Sequence, residues 1–394
     1  MPTAGRLAVV TAVAAAAALL SGPPARADDA EIYLQPGSGV LGAPRAKTDF
    51  PFVTGQALAV LTDTRILQAN VPGAETNDLN PGLQIGLAVY LTPRLSVQGL
   101  ATVDTPLDAG GDRAFAGLDG SLSNLFVNYE SESFTIYAGK FDAWFGEGWR
   151  AIDGVYSGFT SDYYFSRVLG AGGSLIARTS GGAQELGVAV FKRDNSGLND
   201  SWIRSHQCSA TTFDCTGAFE PGAGGAGNTD WPESVAVTFD WSEIPSAPGI
   251  GFGVDFAHLA AGRDDAKSMT GIAARLAYET ALADGVGLKL FAEAAWLDGF
   301  RRRDATVADL VASATLSIDP VQITVTAARR DWTVGEAPAD GPETLRRDGD
   351  WGVALSATYP TVLGVILQAG VIRLEDQGAS ATIGRARAIY QLRF

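Results

Sequence analysis

Residues 385–394 read RARAIYQLRF, with basic and polar residues recurring at alternate positions on either side of Ile389. Arg385, Arg387, Gln391 and Arg393 share one parity; Ala386, Ala388, Tyr390, Leu392 and Phe394 share the other. A period of two is that of a β-strand, whose successive side chains point to opposite faces. Each arginine facing lipid at mid-membrane would cost about 2–4 kcal/mol, so the arginine face must meet water. The other face suits hydrocarbon. Alternation alone does not say which side is inside. A soluble β-sandwich places polar residues outward around a dry core, whereas a membrane barrel turns them toward a wet lumen.

The rest of the chain favours the barrel. Its 394 residues carry 47 glycines and 46% hydrophobic residues. Residues 1–27 have the form of an export signal: Arg6, the apolar run LAVVTAVAAAAALL, and Ala25-Arg26-Ala27 ahead of Asp28. A membrane anchor would need about 18 apolar residues, more than this run supplies. No later run is long and apolar enough for a helical span, and a barrel resolves that paradox because only alternate residues touch lipid. Lys+Arg total 29 against Asp+Glu 44, a net charge of −15. Removal of Arg6 and Arg26 with the signal gives −15 − 2 = −17, which argues against a nucleic-acid partner.

Residues 28–47 are rich in Gly and Pro and read as a linker; the barrel is expected over 48–394. Strands are expected near 49–60, 83–91, 94–103, 122–130, 133–141, 165–177, 184–193 and 233–242. Eight more are expected near 250–260, 269–279, 286–297, 306–318, 321–332, 350–359, 363–374 and 382–394. Short gaps carry turn chemistry (TPR, SES, SGG, PSAPG, LADG, DP, PTVL) and alternate with long ones near 61–82, 104–121, 142–164, 194–232 and 333–349. Shorter gaps fall near 261–268, 298–305 and 375–381. The expected fold is therefore an all-β, transmembrane antiparallel barrel of about 16 strands with its loops on one side. Strands running toward the short turns finish on Tyr90, Tyr129, Trp241, Tyr278, Tyr359 and Phe394, the positions of an interfacial aromatic ring. Trp296 and Trp332 are expected in the opposite ring. Ordinary strand propensity also favours aromatics, but it does not cluster them at one end. Val321, Ile323 and Val325 oppose Gln322, Thr324 and Thr326, and Leu288, Leu290 and Trp296 oppose Lys289 and Glu293.

The chain at this point resembles the Gram-negative general porins. The likeness is carried by Tyr390-x-Leu392-x-Phe394, by FTIYAGKFDAWFGEGWRAIDGVYSGFTSDYYFSRVLGAGGSLIART (134–179), and by the hairpin count. GKF at 139–141 and FG at 145–146 are similar to the phosphate-selective and siderophore-porin branches, although the loops lack their basic clusters. The resemblance implies an outer-membrane channel for passive diffusion of small hydrophilic solutes and ions. It also implies an inward-folded constriction loop at 142–164, and Tyr390, Leu392 and Phe394 as the signal read by the barrel-assembly machinery. A homotrimer in outer-membrane lipid is one implied assembly; some relatives work alone.

Within that loop, Asp142, Glu147, Asp153 and Asp162 are the candidate acids of the constriction, with Arg150 as its cation. Lys140, Arg167, Arg275, Lys289, Arg385 and Arg387 are candidate wall bases, which would set up a transverse field across a narrow gap. Each charge could equally be a solvated lumen residue. The loop aromatics from Trp144 to Tyr164 could hold it to the wall, stack on a sugar, or meet lipid or a neighbouring subunit. A solute-specific porin or receptor, for a siderophore, sugar or other small ligand, is the alternative reading. A plugged receptor of about 22 strands exceeds the length, and a purely structural anchor would need a closed lumen. Cys208 and Cys215 form a candidate disulfide; a metal site with His206 lacks the usual spacing and a fourth ligand. No metal, cofactor or catalytic residues are expected. His206 and His258 have no serine or aspartate arrangement of a base and its orienter, and His258 shares the lipid parity of Phe252, Val254 and Phe256.

Overall fold

The computed structural model describes residues 49–105, 112–156, 158–203, 225–262, 267–300, 305–334, 349–376 and 378–394. The expected signal at 1–27, the linker at 28–47 and the cysteine pair lie outside them. The strands in chain order are β1 (Phe52–Ala69), β2 (Asn77–Tyr90), β3 (Leu95–Asp104), the two-residue β4 (Arg113–Ala114), β5 (Asp119–Glu130) and β6 (Phe134–Ala143). They continue with β7 (Phe165–Thr179), β8 (Gly182–Arg193), β9 (Ser234–Ser242), β10 (Ile250–Leu259), β11 (Met269–Ala283) and β12 (Val286–Asp298). The last five are β13 (Ala305–Ile318), β14 (Val321–Val334), β15 (Asp350–Pro360), β16 (Val365–Asp376) and β17 (Ala379–Arg393).

Each long strand pairs antiparallel with its neighbours in sequence, and β17 returns to β1, so sixteen strands close on themselves. β4 adds only a short parallel bridge to β2. The seam runs from Gln56 opposite Arg393 to Ala69 opposite Ala381. It is finished by Phe394, whose N–H donates to Gly55 O (3.0 Å) while its own carbonyl accepts from Gly55 N (2.8 Å) and Thr54 Oγ1 (2.9 Å). The Phe394 ring lies over Gly55, where a Cβ would stand 2.9 Å from Cζ. A side chain at 55 would displace the ring that covers the seam.

Side-chain parity follows the expected split. Along β15, Gly352, Ala354, Ser356 and Thr358 are buried within, while Trp351, Val353, Leu355 and Tyr359 face out, Leu355 at 57% exposure. On β14, Thr324 and Thr326 are buried and Ile323 and Val325 exposed. Such an apolar exterior suits lipid and is far larger than a water-soluble surface tolerates.

Two expected gaps are corrected. Residues 61–82 are mostly strand, because β1 runs to Ala69 and β2 starts at Asn77. Pro81 is accommodated within β2 because β3 reaches only to Val103 opposite Leu83, so Pro81 needs no donor on that edge. Likewise 375–381 is a tight hairpin, with Asp376 paired to Ala379. The aromatic ring is corrected at two positions as well. Tyr129, Tyr359 and Phe394 are exposed on the outer face. Trp241 and Tyr278 share the outward parity of their strands. Tyr90 shares the inward parity of Gly86 and Ala88 and stacks on Phe52 with ring centroids 6.2 Å apart. Trp296 does face out, at 44% exposure, but Trp332 faces in, donating from Nε1 to Asp350 Oδ2 (2.9 Å).

The outer face gives a direct test. Leu355→Arg should reduce folding into lipid vesicles by about 2–4 kcal/mol, read from the heat-shifted folded band on gels across a urea series. Thr361→Arg, in the β15–β16 turn, should fold as the parent does.

Candidate functional site: a loop held inside the barrel

The loop from β6 to β7 leaves the rim and crosses the interior. Every wall residue that it meets lies on inward parity. Phe145 enters first, stacking on Phe165 (5.2 Å) beneath Gly271, where any side chain would strike its ring. Gly146 N–H then donates to Asp255 Oδ2 on β10 (2.8 Å). The N–H groups of Glu147 and Gly148 donate to the two oxygens of Glu293 on β12 (2.5 and 3.0 Å). One turn of helix follows, α1 (Gly148–Ala151). Asp153 next accepts from Lys289 Nζ (3.0 Å) and Thr315 Oγ1 (2.9 Å), on β12 and β13. At the tip, Arg385 Nη1 of β17 donates to Val155 O (3.0 Å).

Gly154 explains why the tip lies so close to the wall. Its φ of +91° is in the left-handed region, and a Cβ would collide with the Ser356 hydroxyl. On the way back, Arg330 of β14 gathers the loop. Its Nε and Nη2 donate to both Asp309 oxygens (2.7 Å each), Nη1 to Asp162 Oδ2 (2.5 Å) and Nη2 to Phe159 O (3.0 Å). Phe159, Phe300 and Trp332 surround the guanidinium within 5.7 Å of its carbon. Tyr163 OH donates to Glu293 Oε1 (2.7 Å). Burial, then the Glu293 charge, push the Tyr163 hydroxyl well above its usual pKa, so it stays a donor. Finally Tyr164 OH (2.6 Å) and Arg167 N–H (2.8 Å) donate to Asp142. Arg167 there has φ +57°, a strained conformation for a bulky residue, and the Asp142 bond helps to hold it.

Two candidate acids contact candidate bases directly, Glu147 with Arg275 and Asp153 with Lys289. Glu147 pairs with Arg150 and with Arg275, which also meets Asp240 and Asp255. Asp153 pairs with Lys289 and Asp162 with Arg330. Lys140 and Asp194 form a fully buried pair (2.8 Å), and Asn199 Oδ1 accepts from the same ammonium (2.9 Å). Lys140 therefore ties down the start of the next loop and does not line a water-filled wall. Asp142 lies within β6 and fixes the root of the loop. Arg385 and Arg387 point inward and remain half-buried. Tyr390, Leu392 and Phe394 take the opposite parity, with Leu392 opposite Ala57 in the seam. His258 also faces out, its Nδ1 3.0 Å from Thr270 Oγ1.

Arg330, Asp309 and Asp255 were not among the sequence candidates. Two further steps from Thr326 along its parity reach Arg330, so the signal was present.

No family model and no curated protein matches the chain. Solved structures do. OprB of Pseudomonas putida superposes with a TM-score of 0.58 at 10% identity, covering 86% of this chain and 94% of that one. OmpF of Salmonella typhi, in complex with daunomycin, gives 0.58 at 13% identity over 87% and 98%. The outer-membrane channel DcaP of Acinetobacter baumannii gives 0.55 at 10% over 86% and 96%. The chain shares its barrel fold with these proteins.

The Arg330 cluster should be essential to loop placement. Arg330→Ala leaves Asp309 buried without its cation and should cost about 3–5 kcal/mol, measured by urea unfolding in detergent. Arg330→Met combined with Asp309→Leu should recover most of that loss.

Proposed function

We propose that the protein is an outer-membrane channel for passive diffusion of small hydrophilic solutes and ions, with residues 144–164 as its constriction. The observation that carries this reading is a closed barrel whose interior holds a loop bonded to wall strands far from its own. The outer-membrane proteins that share the fold, one of them termed a channel, support it. Transport needs no covalent step. A solute descends its gradient and is selected by the width left beside the loop and by the charges that line it. Glu147, Asp153, Asp162, Lys289, Arg385 and Arg387 are the selecting groups, because each keeps some exposure inside the barrel. Acids outnumber bases over the whole chain, which favours cations at the mouth.

Tyr390, Leu392 and Phe394 serve the assembly machinery on this reading, and the barrel works alone or as a homotrimer. The solute-specific alternative draws on the loop aromatics. Trp149 stacks on Tyr164 (4.0 Å), Arg150 lies over Trp144, and Phe145 and Tyr163 are buried. Those rings are engaged with the protein itself, which favours the general pore.

Planar-bilayer recording tests both readings: ohmic current without saturation supports the general channel, and silence overturns it. Block by one solute at micromolar level would select the specific channel. Glu147→Gln with Asp153→Asn removes two negative charges and leaves Lys289 without its acid. The potassium-over-chloride preference should fall by about fivefold, the effect of roughly 1 kcal/mol of screened interaction. An unchanged reversal potential in a salt gradient removes the loop from selectivity.

A further inference from the structure

Among the described residues, charged side chains of the outer face cluster in one sector. Asp63 and Arg65 of β1, Arg329 and Asp331 of β14, and Arg373 and Glu375 of β16 all take outward parity near the long-loop end. Register places them side by side: Arg329 opposite Trp351, Trp351 opposite Glu375, Arg373 opposite Thr382, and Arg65 opposite Gly384. Their height follows from β15. Trp351 lies eight residues from Tyr359 of the lower ring, about 26 Å along the strand. At the usual barrel tilt this is about 20 Å along the membrane normal, close to the top of an apolar band about 25 Å tall. These guanidiniums therefore stand at headgroup level.

Their partners differ. Arg65 pairs with Asp63 and Arg329 with Asp331, both at 2.9 Å. Glu375 accepts from Trp351 Nε1 (3.1 Å). Arg373 has only hydroxyls, Thr382 Oγ1 at 2.9 Å and Ser380 Oγ at 3.4 Å, with no carboxylate in ion-pair distance among the described residues. Directly below runs an apolar groove of about 610 Å³, bordered by Leu355 and Arg65 and floored by Ala357, Ala369, Gly384 and Ala386.

We propose that this sector binds one phosphate-bearing lipid of net negative charge in the leaflet at the long-loop end, its acyl chain in the groove and its phosphate on Arg373, with Arg65 alongside. Guanidinium forks match phosphate oxygens, and a phosphate supplies the anion that Arg373 lacks. A second copy of the chain laid here would instead take three arginines out of contact with water and headgroups. The inference rests on the membrane placement of the barrel, not on what its lumen conducts.

The test is native mass spectrometry of the detergent-solubilised protein after incubation with phosphatidylglycerol or phosphatidylcholine vesicles. The parent should keep one phosphatidylglycerol per barrel and little phosphatidylcholine. Arg373→Gln and Arg65→Gln should each lower retention by about fivefold, as expected for one arginine facing an anionic lipid. Ala369→Phe with Ala386→Phe should abolish it, and Asp63→Asn should raise it. Heat-shifted gel bands confirm folding, and bilayer conductance of every variant should equal the parent's, so failure here is distinct from failure of the channel reading. Equal retention by parent and arginine variants overturns the proposal. So does dissociation of an oligomer when the groove is filled, which would assign the sector to a second copy.

Discussion

In hydrocarbon an unpaired backbone N–H or C=O costs several kcal/mol, and a sheet with an open edge carries a whole row of them. The pairing of β17 with β1 is what removes both edges. Everything else depends on it: the enclosed interior, the two environments that set side-chain parity, and the far wall on which the β6–β7 loop rests. Phe394 contributes at the last rung, with its backbone bonded to Gly55 and its ring laid over that glycine. The small residue and the terminal aromatic are complementary parts of one joint.

Inside, charge is used to position as much as to select. Arg275 and Arg330 are nearly inaccessible, and each is surrounded by carboxylates from different strands or from the loop. A buried pair is weak evidence of net stability, but removing one member leaves an expensive orphan. These clusters therefore specify where the loop lies more than how tightly the barrel holds. Two carboxylates, Glu293 and Asp255, do the same by accepting consecutive loop N–H groups, an arrangement that no apolar contact could align.

Much of this was legible in the sequence. The alternating arginines of RARAIYQLRF marked both faces of β17, and Gln322, Thr324 and Thr326 marked the inner face of β14. What misled was position near a strand end. Tyr90 and Trp332 sit where ring aromatics belong, yet parity turns both inward, and parity decides because a one-residue step reverses the face. Residues 61–82 were expected to be a gap, since a sequence does not reveal which edge of a strand lacks a neighbour. The aromatic, acidic character of 144–164 was readable. Its partners were not, because they lie on strands distant in sequence, and Lys140 gave no sign that Asp194 and Asn199 would enclose it.

The bonds that hold the loop also impose an order of events. Those to β10 through β17 link residues 109 to 230 positions apart, the widest joining Val155 to Arg385. The loop leaves the ribosome long before β10 through β17 exist, and contacts so remote in sequence form late and slowly. Until then Phe145, Phe159 and Tyr163 lack the distant wall strands that cover them, so the unfinished chain presents an aromatic face that is prone to aggregate.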